Sequence, residues 1–191
     1  MRQAERIYNG HSAFFNYGKG RMDMGKGWRK LLIWLSISII FAVLTDWGTF
    51  TYEADGTISG NGNPGIIMLA AGWLFGIILL CSAGMVLYRL FRLKSVFSIP
   101  SLLIAVSALI VLPLAIWLET GYVDALRVHL RGFTRDEDSV VFRFGWINQY
   151  TNNLFYNAYI LAGGIALVIL VVWIVAALRQ RADIRSRSNS G

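Results

Sequence analysis

Residues 65–88 read GIIMLAAGWLFGIILLCSAGMVLY, an apolar stretch with no charged side chain. A helix crosses the hydrocarbon core of a bilayer with about 20 consecutive, mostly apolar residues. This stretch is long enough, and an unpaired backbone group in lipid costs several kcal/mol, so it must be a helix that satisfies its own backbone. Three further runs of the same character lie at 31–47, 97–118 and 154–178, and none carries a charge before its very end. The expected fold is therefore an all-α integral membrane domain of four transmembrane helices over 31–178.

The composition agrees. Apolar residues make up 55% of the chain and charged residues only 15%, against roughly 25% charged in an ordinary soluble domain. Too few polar groups are present to cover a water-facing surface, and too many large apolar ones for a disordered chain.

Orientation follows from Lys and Arg, which accumulate on the cytoplasmic side. Arg2, Arg6, Lys19, Arg21, Lys26, Arg29 and Lys30 precede the first run; the 48–64 loop has none; Arg89, Arg92 and Lys94 follow the second run; Arg179, Arg181, Arg185 and Arg187 follow the fourth. The alternation predicts both termini inside, in a cell membrane of the bacterial inner-membrane type. It also accounts for most of the net charge of +7, so the basic balance does not point to nucleic acid. Residues 1–30 form a basic and aromatic cytoplasmic arm and 179–191 a basic tail. Lys19, Arg21, Lys26, Arg29 and Lys30 are placed to meet anionic lipid headgroups, each contributing about 1 kcal/mol near such a surface. The repeated Gly-Lys-Gly at 18–20 and 25–27 reads as a flexible segment. The arm also matches G-x4-G-K, but Gly27 stands where a Ser or Thr would hold magnesium, and no strand precedes it.

Local signals fill in the packing. The turn from Arg89 to Val96 is expected to make an antiparallel hairpin of the second and third helices. Pro100 suits the first turn of a helix, and Pro113 should kink the third. Trp28, Trp47, Tyr88, Phe91, Trp117, Tyr122, Phe155 and Tyr156 sit near run ends and read as interfacial belts. Gly72 and Gly76 are a small-xxx-small pair, and Gly84 follows on nearly the same face. Such residues let helices approach closely, within one subunit or between copies in a homo-oligomer. The outer loops are expected at 48–64 and 119–153. In the longer one, Val123, Leu126 and Leu130 suggest a short amphipathic helix, and Val140 to Phe144 alternate as a short strand.

Chemistry-bearing constellations are sparse. Cys81 is the lone cysteine and reads as a small buried hydrophobe. His11 and His129 fall on opposite sides of the membrane, so they cannot share a haem or metal. Asp136 and Asp138 lack the glycine-punctuated loop of a calcium site. Asp46 and Glu119 fall at the outer interface and read as wetted helix ends. No cofactor, metal site or nucleophile–base pair is expected. The reading is a non-catalytic scaffold or assembly subunit of a larger membrane complex, such as a secretion, conjugation or respiratory assembly. Its partners are membrane lipid and other subunits, and Val140, Val141, Phe142 and Phe144 are placed to pair with one of them. A channel, transporter or lysis-type component, and a membrane enzyme acting on lipid or quinone, are the alternatives.

Overall fold

The computed structural model describes residues 2–50, 62–130 and 146–188, with side chains over 24–50, 62–128, 146–186 and at 188. Among the described residues all regular structure is helical. Helix α1 spans Arg2–Trp47, α2 Gly65–Leu93, α3 Ile99–Leu130, α4 Asn152–Phe155 and α5 Ala158–Ser188. Four segments are long and apolar enough to cross a membrane: Met24–Trp47, Gly65–Leu93, Ile99–Val128 and Asn152–Ser186. The chain is a multi-pass membrane protein.

The helices stand in a row in the order α1, α2, α5, α3. The expected hairpin of α2 and α3 is corrected here: joined by a short turn, they make no lengthwise contact, because α5 packs against both. At Gly163 a Cβ would lie 3.6 Å from the Ala115 Cβ of α3, whereas at the next residue, Gly164, it would lie 3.4 Å from the Leu80 methyls of α2. Ala105, Ala108 and Ala115 are buried on α3, and Ala166, Ala176 and Ala177 on α5. Lipid tails are as apolar as leucine, so helices in a bilayer associate through close packing and polar contacts, and small residues permit the approach. A row also leaves much surface outside: at most 28% of the apolar window of any span is buried. Leu103, Leu109 and Ile110 on α3 are examples of side chains left facing outward.

On the other side of α2, Phe75 stacks against two residues of α1, Trp34 at 6.0 Å and Phe41 at 5.1 Å between ring centroids. These two are seven residues apart and so share a face of α1.

The α2–α3 turn is held by α5. Gln180 Oε1 accepts hydrogen bonds from Ser95 Oγ and the Val96 amide, both at 3.3 Å, and its Nε2 donates to the Phe91 carbonyl at 3.2 Å. Trp173 Nε1 donates to the Val96 carbonyl at 3.2 Å. Ser95 has φ +47°, an uncommon conformation for a non-glycine residue. Its carbonyl accepts the Ser98 and Ser101 hydroxyls.

Several expectations change. Helix α3 does not stop near Leu118 but continues to Leu130, because nothing in 119–130 breaks it: Gly121 is a single tolerated glycine and no proline follows. The amphipathic segment is thus the end of α3 and not a separate helix. The arm continues α1 as helix from Arg2. Phe91 and Tyr156 are core residues, 0% and 2% exposed, and not belt residues. Cys81 is exposed on α2 and not buried. The strand expected at Val140–Phe144, and the acids at 136–138, lie outside the described residues.

The groove on α2 has a specific occupant. A Cβ on Gly72 would lie 2.6 Å from two ring carbons of Tyr156, and one on Gly76 would lie 3.1 Å from a third, whereas at Gly84 the nearest atoms are Val168 and Val172 methyls at 3.6 and 3.9 Å. Gly72→Ala should therefore destabilise the fold by about 1–3 kcal/mol, the usual cost of overpacking, and Gly84→Ala should be close to neutral. Thermal unfolding in detergent measures both. In a double-mutant cycle, Tyr156→Ala should remove most of the penalty at Gly72.

Candidate functional site

Polar side chains gather where α1 ends and α2 and α5 begin. Two helices approach there through glycine. A Cβ on Gly65 would collide with the Gly48 carbonyl, at 2.7 Å, and with the Asn152 amide. Asn152 is fully buried and forms a reciprocal amide pair with Asn63: Asn152 Nδ2 donates to Asn63 Oδ1 at 2.7 Å, and Asn63 Nδ2 donates back to Asn152 Oδ1 at 2.9 Å.

The segment before α4 is folded by its own short polar side chains. Thr151 Oγ1 donates to the Trp146 carbonyl at 2.8 Å and accepts the Asn148 amide at 3.1 Å. Asn148 Oδ1 accepts the Tyr150 amide at 2.9 Å. These are the local side-chain-to-backbone bonds through which Asn and Thr favour turns. The segment is tied to the end of α1 by the Phe50 amide, which donates to the Gln149 carbonyl at 2.8 Å.

The next two amides join three helices. Asn153 Nδ2 donates to Asp46 Oδ1 of α1 at 2.9 Å and to the Tyr122 hydroxyl of α3 at 2.6 Å. Asn157 Oδ1 accepts the Tyr159 and Ile160 amides at 2.9 and 3.0 Å, which caps the first turn of α5. Its Nδ2 donates to Glu119 Oε2 at 2.8 Å and to the Asn153 carbonyl at 2.9 Å. Amides serve here because each offers donors and acceptors without a net charge. An ion at membrane depth costs several kcal/mol.

Between α4 and α5 the backbone opens to an extended conformation at Tyr156, φ −155° and ψ 103°. That break turns the side chain inward, onto Gly72 and Gly76, and its hydroxyl donates to the Ser38 carbonyl of α1 at 3.3 Å. Tyr156 thus touches both neighbouring helices from one position.

Asp46, exposed, and Glu119, half-buried, both expected as wetted helix ends, in addition accept hydrogen bonds from Asn153 and Asn157 respectively. Among the described residues the single ion pair is Arg127 with Asp124, at 4.0 Å, so neither carboxylate is neutralised by a described cation. Among the described residues two buried oxygens lack a hydrogen-bond partner, Ser38 Oγ and Asn153 Oδ1. No group of three or more His, Cys, Asp and Glu side chains that could hold a metal occurs among the described residues. The arrangement holds helix ends together.

Of the residues singled out from sequence, Gly72 and Gly76 meet Tyr156, and Gly84 lies near α5. Lys26, Arg29 and Lys30 are exposed on α1, at the opposite end of its span from the amide cluster. The backbone of Lys19 and Arg21 belongs to α1, and their side chains lie outside what is described. Val140, Val141, Phe142 and Phe144 fall outside the described residues. Sequence reasoning missed Asn63, Asn152, Asn153, Asn157 and Gln180. The available signal was the run Gln149-Tyr-Thr-Asn-Asn153 at the start of an apolar stretch, with Asn157 inside it.

These features define a multi-pass helical membrane protein whose polar groups fasten the ends of its spans. No protein-family model, no curated protein and no solved structure matches the chain.

Asn157→Ala should destabilise the protein by about 1–2 kcal/mol, through loss of the cap and of the bond to Glu119. Asn157→Asp keeps the cap but sets a carboxylate against Glu119, so it should be at least as harmful near neutral pH. Adding Glu119→Gln should restore stability, because the new amide can donate to the new carboxylate. Thermal unfolding of the four proteins tests this.

Proposed function

We propose that the protein is a non-catalytic scaffold, an integral subunit of a larger membrane assembly of the secretion, conjugation or respiratory kind. One observation carries the reading: most side-chain hydrogen bonds described between different spans gather near the two ends of the helices, through Asn152, Asn153 and Asn157 at one and Trp173, Arg179 and Gln180 at the other. Between those ends the hydroxyl of Tyr156 and the buried Ser38 are a local contact and not a file of groups along which a polar solute could pass. A transporter built for such a solute ordinarily carries broken helices and binding groups near the midplane. Helices of this kind anchor and pack, which leaves specific recognition to the segments outside the bilayer.

In this reading both termini lie in the cytoplasm, as the Lys and Arg distribution favours, in a bacterial inner membrane. The basic residues Lys19, Arg21, Lys26, Arg29 and Lys30 meet lipid headgroups. The 140–144 segment forms a strand through Val140, Val141, Phe142 and Phe144 and adds to a sheet edge of a partner subunit, since an unpaired strand offers a row of backbone donors and acceptors.

The experiment is affinity purification from native membranes, comparing the wild type with Val141→Pro, which removes one backbone donor from the strand. The wild type should bring down partners in fixed stoichiometry, and the variant should insert normally and lose at least one of them. A wild type that purifies alone and conducts ions or turns over a lipid or quinone in liposomes would overturn the scaffold reading. A variant that inserts and keeps every partner would remove the strand from it.

A further inference from the structure

At the basic end of the spans, opposite the amide cluster, a cavity of about 310 Å³ opens between α2 and α5. It is lined by Arg92 of α2 and by Ala176, Arg179, Gln180, Ala182 and Asp183 of α5. A basic residue in the last turn of a helix, as Arg92 is in α2, is favourable through the helix dipole alone. The cavity asks for more than that, because a second helix adds another guanidinium and a carboxylate to the same walls.

These charges do not neutralise one another. Arg179 and Asp183 are four residues apart on α5, a spacing at which opposite charges commonly pair. Yet no ion pair joins them, and Arg92 has none either; the single pair among the described residues lies elsewhere. Arg179 is committed to α2: its Nη1 donates to the Tyr88 hydroxyl at 2.7 Å, and the guanidinium lies 5.8 Å from the centre of that ring. Gln180 is also committed, with its amide bound to the α2–α3 turn. The walls are thereby fixed, with two guanidinium groups and one carboxylate facing a common space and unmatched.

We propose that this cavity binds a phosphate ester bearing an ammonium group, the headgroup of phosphatidylethanolamine. The phosphate oxygens accept from Arg92 and Arg179, since planar guanidinium groups suit phosphate. The ammonium donates to Asp183. The lipid, and not a soluble ester, is the source because of where the cavity lies. It sits where the spans Gly65–Leu93 and Asn152–Ser186 end. Leu93 and Leu178, adjacent in sequence to the two arginines, are 56% and 61% exposed, so they offer apolar surface to acyl chains beside the headgroup. This site differs from the diffuse attraction expected of the lysines and arginines of α1, which would favour any anionic surface without distinguishing headgroups.

The test is native mass spectrometry of the full chain released from nanodiscs containing equal amounts of acyl-matched phosphatidylethanolamine and phosphatidylglycerol. The wild type should retain phosphatidylethanolamine in preference. Arg92→Gln should lower the retained lipid by roughly tenfold, the worth of one charge-assisted hydrogen bond. Arg92 is exposed, and no hydrogen bond or ion pair joins it to another described residue, so an unchanged unfolding temperature in detergent should confirm that the variant is folded. Asp183→Asn should keep the lipid but lose the preference for phosphatidylethanolamine over phosphatidylglycerol. The proposal is overturned if the wild type retains no more lipid than Arg92→Gln, or if Asp183→Asn leaves the preference intact. It is also overturned if soluble glycerophosphoethanolamine displaces the lipid at equal concentration, which would assign the cavity to a soluble ester.

Discussion

Helix α5 can lie between α2 and α3 because glycine and alanine at several positions of its contact faces let both neighbours come close, while Val168, Val172 and Trp173 fill the space that remains. Water cannot drive apolar helices together inside a bilayer, so the attraction is dispersion, and it grows only where backbones come close. Gly163 and Gly164 provide that closeness on two successive faces, towards Ala115 and towards Leu80. From this follows the rest of the row. With α5 in the middle, α2 and α3 are held apart despite their short connection, and α1 is left to pack on the far side of α2 through the Trp34–Phe75–Phe41 stack.

Close packing fixes the distance between helices but not their register along the membrane normal. Register is supplied at the ends by directional polar contacts. At one end Asn153 joins α4 to α1 and α3, and Asn157, the cap of α5, binds α3; at the other Gln180 and Trp173 grip the turn between α2 and α3. Both ends use mainly neutral amides. Tyr156 adds a deeper pin: the break before α5 lets a large ring enter the space that Gly72 and Gly76 leave open.

The existence of the four spans was legible in the sequence, because uncharged runs of that length have few alternatives. Helix order within the membrane was not. Chain neighbours joined by a short turn are expected to pack, and the signal that overrides this, two adjacent glycines in α5, looks like any other small-residue pair. Phe91 and Tyr156 were misplaced in the belts because nearness to a run's end says nothing about which way a side chain points. Cys81 fell on the lipid side of a helix whose residues are nearly all apolar, so composition gave no contrast between its faces. The amide cluster was passed over for a related reason. A search for charges within apolar runs finds ion paths, whereas this site is made largely of asparagines, one of which caps a helix that begins later than the apolar run.

The central claim is that α5 separates α2 from α3, and cysteine cross-linking in native membranes tests it most directly. With Cys81 replaced by Ala, the pair Ala115→Cys and Gly163→Cys should form a disulfide on oxidation. The 3.6 Å from the Ala115 Cβ to a Cβ placed on Gly163 falls in the range of about 3.5–4.5 Å between bridged cysteines. The pair Leu80→Cys and Gly164→Cys should join through a short bifunctional thiol reagent, and the pair Leu80→Cys and Ala115→Cys, which α5 keeps apart, should not. Efficient linkage of Leu80→Cys to Ala115→Cys, with none between Ala115→Cys and Gly163→Cys, would contradict the account and restore α2 and α3 as direct neighbours.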